Sequence, residues 1–188
     1  ATRTKAMAAI GGAIPVARTD VRYPLFLAQA SYQSGKMEDA WAQYGAHKGL
    51  LLTEYKDMDP AFTIWLLSRH TALGDYEDAD TLAQKMIQWF DSAPQSFEPE
   101  IRARLLVAHA DIAFAQQEYP RARSLYERVA LAVDFNETRS KADAELKIAE
   151  VDRITRAFDK AIAGLEKLAQ RPDPELRAQA FYQLALVK

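Results

Sequence analysis

The chain has 188 residues, 49% hydrophobic and 27% charged, a balance that builds a folded core and excludes a disordered tail. Its 24 Lys and Arg against 26 Asp and Glu leave a net charge of -2, which argues against a nucleic-acid-binding domain. Cysteine is absent, which excludes disulfides, Cys-ligated zinc, iron–sulfur clusters and thiol catalysis, while 7 Gly, 8 Pro and abundant Ala point to helices.

Residues 6–14 form an uncharged apolar run. It lacks the starting Met and the apolar length of a signal peptide, and predicts a leading helix over about 1–13 that closes on Gly11-Gly12. Further helices are predicted over about 21–34, 37–53, 60–73, 76–91, 98–117, 119–133, 137–155 and 158–170, with a last one from 174. Pro60, Pro99, Pro120 and Pro174 stand at first helical turns, where a missing N–H costs nothing. Asn136 is the expected N-cap of the helix that follows it. Asn136-Glu137-Thr138 also matches a glycosylation acceptor, but the cap reading is preferred. No apolar run reaches the ~18 residues of a membrane-spanning helix. The chain starts without Met and stops inside an apolar helical pattern at Lys188. It reads as a piece of a longer protein, with any targeting signal outside it and its compartment, bacterial periplasm or cytoplasm, left open.

A repeat runs through these elements. Gly35-Lys36-Met37-Glu38-Asp39-Ala40 and Gly74-Asp75-Tyr76-Glu77-Asp78-Ala79 share a turn-plus-helix pattern. In Gln117-Glu118-Tyr119-Pro120-Arg121-Ala122 and Arg156-Ala157-Phe158-Asp159-Lys160-Ala161 the glycine is replaced but the alanine keeps its place. Those alanines are 39, 43 and 39 residues apart. Small or apolar pairs lie 12 and 13 residues upstream of each: Leu27-Ala28, Leu66-Leu67, His109-Ala110 and Ile148-Ala149, with a fifth copy at Leu184-Ala185. Small side chains let two helices cross closely. Met37, Tyr76, Tyr119 and Phe158 are expected to wedge under the next helix pair.

The pattern resembles the tetratricopeptide repeat (TPR), a helix–turn–helix unit that stacks into a solenoid. The resemblance implies an all-α solenoid of antiparallel helix pairs, wound as a right-handed superhelix across 1–188. Its expected units are a partial one at 1–20, pairs at about 21–55, 60–93, 98–134 and 137–171, and a partial one at 174–188. The spacing exceeds the family's ~34 residues, so longer loops or helices are expected. Ser31, His70, Ala113 and Asp152 stand where the family has an aromatic, which leaves a related α-solenoid open.

Signs of chemistry are few. No phosphate-cradling loop and no His-Glu-x-x-His pattern occurs. His70 and His109 fall in first helices of neighbouring units but lack a third ligand, so no metal or cofactor is expected and both read as core or boundary residues. Asp75, Glu77, Asp78 and Asp80 cluster, as do Asp143, Glu145, Glu150 and Asp152. With Lys147, Arg153 and Arg156 nearby, they read as a solvated face and not as an acid–base pair, so no enzyme is expected. Most aromatics read as core between units, Trp89-Phe90 against the following one.

The resemblance places a partner-binding groove on the concave face of the first helices. Its residues are Gln29, Tyr32, Ser68, Thr71, Asp111, Phe114, Glu150 and Arg153, with Arg104 beyond them. This mixed polar and aromatic surface suits an extended peptide or a partner's helix. Asp111 and Glu150 would repel a terminal carboxylate, which argues against the carboxylate-clamp subclass. The leading expectation is a non-enzymatic scaffold for a protein or peptide partner. Beside it stand, by analogy, a periplasmic scaffold of an exopolysaccharide export machine and a sensor module of a larger enzyme or regulator. The apolar stripe of Phe181, Leu184, Ala185 and Val187 also predicts end-to-end self-association.

Overall fold

At Pro60, Pro99 and Pro174 a helix starts on a proline that follows an acidic residue, and just before Gly35, Gly74, Gln117 and Arg156 a helix stops as the chain turns left-handed. The structure, a computed structural model, describes residues 20–136 and 138–187. The expected helix over 1–13 lies outside the described residues. Ten α-helices follow: α1 (Tyr23–Gln33), α2 (Met37–Gly45), α3 (Lys48–Glu54), α4 (Pro60–Leu73), α5 (Tyr76–Ser92), α6 (Pro99–Ala115), α7 (Tyr119–Leu131), α8 (Arg139–Ile154), α9 (Phe158–Ala169) and α10 (Pro174–Val187). Single 3-10 turns at Tyr55–Asp57, Pro94–Ser96 and Val133–Phe135 join some of them. No strand occurs among the described residues, so the all-α expectation holds.

The chain divides into two compact units, 1–63 and 64–188. In the first, α1 packs on α2 and buries Leu25, Ala28, Ala40 and Tyr44. Arg22 there pairs with Asp20 at 2.7 Å and Asp57 at 3.0 Å. In the second, each helix from α5 to α10 packs on the next, and α6 touches α8 as α8 touches α10. Two clusters form part of its core. One is built around Ala110, Ala122, Tyr126 and Phe135, the other around Leu146, Leu165, Leu168 and Leu176.

The four predicted turns share one backbone geometry. Gly35, Gly74, Gln117 and Arg156 all have positive φ, at 78, 83, 62 and 63°. After each, the next residue donates its N–H to a carbonyl five residues back: Lys36 to Ser31, Asp75 to His70, Glu118 to Ala113 and Ala157 to Asp152. The positive-φ residue itself donates three residues back, to Tyr32, Thr71, Phe114 and Arg153. This is the Schellman ending, which satisfies helix carbonyls that would otherwise be bare. Each turn then hands its own carbonyl to the repeat alanine, Ala40, Ala79, Ala122 or Ala161, all fully buried.

Only glycine takes this φ without strain, since a Cβ costs ~1–2 kcal/mol there. Gln117 and Arg156 carry that cost. Gln117→Gly is therefore expected to raise stability by about 0.5 kcal/mol after the added freedom of the unfolded chain is subtracted. Gly74→Ala is expected to lower it by about 1 kcal/mol. A Cβ at Gly74 would meet nothing within 4 Å, so crowding cannot explain such a loss. Urea unfolding of both variants checks the opposite signs.

Three expectations need correction. The helix expected over 37–53 is broken at Ala46-His47 into α2 and α3, where His47 leaves helical geometry at φ -137°. Gly45 and Gly49 flank the break, and glycine costs ~1 kcal/mol in a helix interior. The N-cap of α8 is Thr138, not Asn136: the Thr138 Oγ1 accepts from the Lys141 N–H, while the Asn136 Oδ1 accepts from Lys141 Nζ at 2.6 Å. Thr138 is extended at ψ 143°, as a cap requires, whereas Asn136 is helical at ψ -34°. Met37 and Phe158 do not wedge into a core, being 40% and 46% exposed, whereas Tyr76 and Tyr119 are half-buried.

Candidate interaction face

Within the second unit, α6, α7 and α8 bring a small group of unlike side chains together. Tyr126 on α7 is fully buried, and its O–H donates to Asp111 Oδ1 on α6. Burial raises the Asp111 carboxyl above its ordinary range, Tyr126 and Lys147 oppose that rise, and Glu150 and Asp143 add to it. Burial also lifts the Tyr126 hydroxyl far above its usual value, with Asp111 adding to the effect. Phe114 lies one turn further along α6. The Lys147 ammonium of α8 sits 5.1 Å from its ring centroid, a cation–π distance. Lys147 also donates to Glu150 Oε2 at 2.9 Å, and Tyr119 meets Phe114 edge-on at 5.7 Å. The seam between α6 and α8 thus offers an aromatic ring, one ammonium and two carboxylates, all half-buried.

The nine residues chosen from sequence have different fates. Asp111, Phe114 and Glu150 come together, joined by Lys147, which the sequence reading took only as charge balance, and by Tyr126, which it passed over. The signal for Lys147 was its position three residues before Glu150 on one helix face. Arg153 is half-buried one turn on, with its Nε enclosed and lacking a hydrogen-bond partner. Arg104 is exposed on α6. The Ser68 and Thr71 hydroxyls on α4 donate back to their own helix, to Ile64 at 3.3 Å and Leu67 at 2.8 Å. In the first unit, Gln29 Oε1 accepts the Asp59 N–H at 2.8 Å, and Tyr32 packs on Phe62 at 5.4 Å. Those two brace the start of α4.

Several charges expected to face solvent are instead engaged. Asp152 is buried and held by Arg123 at 2.7 Å, and Glu145 pairs with Arg171 at 2.5 Å. Asp80 receives Gln84 at 2.7 Å and Arg121 at 2.5 Å. Burial works to raise the Asp80 carboxyl, but Arg121 and His109 together hold it below the ordinary range. Asp75, Glu77 and Asp78 line an open depression of about 640 Å³. No group of three His, Cys, Asp or Glu among the described residues is placed to hold a metal ion. Trp89 and Phe90 both meet Phe97, ahead of α6, at 4.8 and 3.9 Å.

On α10, Phe181, Tyr182 and Leu186 are 56%, 67% and 52% exposed. Ala185 is exposed too, whereas Ala28, Ala110 and Ala149, its counterparts in the repeat, are buried. No helix among the described residues is long and apolar enough to cross a membrane.

No known protein family, curated protein or solved structure matches this chain.

Proposed function

We propose that this protein is a non-enzymatic interaction scaffold, a TPR-like α-solenoid whose first helices hold a peptide or partner protein. The observation that carries this reading is the α6–α8 seam, where Phe114, Lys147, Asp111 and Glu150 offer apolar, cationic and anionic contacts within one half-buried patch. Aromatic and charged anchors of this kind dominate interface energetics. The recurrence of one left-handed turn before a buried alanine supports the repeat reading. A scaffold of stacked helices presents a long surface without needing a catalytic cleft.

A photo-crosslinking residue at Arg104 or Glu150 is expected to capture a partner in cells, and the same residue at Ser124 or Arg128, exposed on α7, to capture none. Phe114→Leu with Glu150→Gln is then expected to weaken the captured partner by about tenfold, roughly 1–2 kcal/mol. Capture from α7 alone would overturn the assignment of the face.

A further inference from the structure

We propose that Asp80, His109 and Arg121 form a pH-sensitive joint that ties α5, α6 and α7 together only while His109 is uncharged. His109 on α6 is buried, and its Nε2 lies 2.9 Å from Asp80 Oδ1 on α5. A carboxylate oxygen only accepts, so Nε2 carries the hydrogen. Arg121 of α7 donates to the same oxygen at 2.5 Å, which brings its Nη2 to 3.2 Å from His109 Nε2. Two donors therefore converge on one acceptor. The second Asp80 oxygen is taken by Gln84 at 2.7 Å.

The other ring nitrogen, Nδ1, is enclosed and has no hydrogen-bond partner. A second proton has to go there. It would create a buried N–H with no acceptor, on a ring already beside a guanidinium. The charged groups acting on the ring are Asp80 from α5 and Arg121 and Arg128 from α7. Glu118 is bonded to the far side of Arg121, at Nη1, 2.8 Å away. One carboxylate thus faces two cations, and a third charge of their sign is unwelcome.

Burial pushes the His109 imidazole below its ordinary 6.5, Asp80 opposes that, and Arg121 and Arg128 add to the lowering. The folded chain therefore takes up this proton less readily than the opened chain. Stability from the joint is whole above 6.5 and is lost as pH falls below it. Asp80 itself titrates below 3.8, in a separate window. Opening the joint exposes the ring to water and frees α5 from α6, so mildly acidic conditions favour a looser junction at this point of the helix array.

The test uses the whole chain at about pH 7.5 and 5.5, within the span where histidine changes charge. Wild-type protein is expected to lose urea resistance at the lower pH, with amide exchange in α5 and α6 rising several-fold. His109→Gln keeps a donor for Asp80 but cannot take the proton, and is expected to lose that pH dependence. An unchanged pH dependence in His109→Gln overturns the proposal. Should His109→Gln not fold, ring-nitrogen NMR of the wild type decides. The Nε2–H tautomer with a midpoint below 6.5 is expected; a midpoint at or above it, or unchanged exchange in α5 and α6, overturns the joint.

Discussion

Replacing Tyr126 with alanine is expected to cost about 4 kcal/mol, the loss typical of removing a large buried aromatic and leaving a cavity. Tyr126 is fully enclosed in the cluster that also holds Ala110, Ala122 and Phe135. Tyr126→Phe separates the ring from the hydroxyl. It keeps the packing but removes the O–H that Asp111 accepts, at a cost of about 1–3 kcal/mol. That smaller cost depends on pH with a defined sign. Burial already raises the Asp111 carboxyl above 3.8, and the Tyr126 hydrogen bond is the first influence opposing the rise. Without it the ionised form is disfavoured further, so the Tyr126→Phe penalty is largest near neutral pH and shrinks as Asp111 takes up a proton. Urea unfolding at about pH 7 and 4 reads both the size and the trend.

The second large effect is expected at Arg123. Its Nε donates to Asp152 Oδ1 at 2.7 Å and its Nη2 to Oδ2 at 3.3 Å, while the Asp152 side chain is only 5% exposed. Arg123→Met leaves that carboxylate buried and uncompensated, with an expected loss of about 3 kcal/mol. Arg123→Met combined with Asp152→Leu is expected to recover most of it, because apolar packing often replaces a buried ion pair at little net cost. A double variant as unstable as the single would mean that shape, not charge, governs this contact. Asp152 also offers its backbone carbonyl to Ala157 in the fourth turn, so amide exchange at Ala157 should quicken in the single variant.

These two sites mark the boundary of what residue patterns could disclose. The turns were legible because their demands are local: a left-handed residue, then five positions later an alanine that must be small. Gln117 and Arg156 were placed correctly without glycine, since the alanine spacing survived where the φ preference did not. Helix starts at Pro60, Pro99 and Pro174 were legible for the same reason. Asp152 and Asp80 were not. On their own helices they read as solvated carboxylates, and their partners lie 29 residues away on other helices. Lys147 over Phe114 likewise depends on how α8 lies against α6. The break at His47 and the exposed Met37 and Phe158 fall in the same class, because repeat spacing assigns positions to helices but not the depth at which each side chain ends.

Asp80 and Arg123 occupy the same place in successive repeats, each directly after a buried alanine, and they carry opposite charge. Asp80 meets His109 and Arg121, and Arg123 meets Asp152. Chains assembled from near-identical units face a hazard that other folds escape: a helix can dock one unit out of place, or trade places with its counterpart in a second molecule. Here a slip that put α5 in the place of α7 would bring Asp80 toward Asp152, matching like with like in an enclosed setting. The opposite charges of Asp80 and Arg123 tell these two positions apart. The small alanines before them, all alike, carry no such distinction.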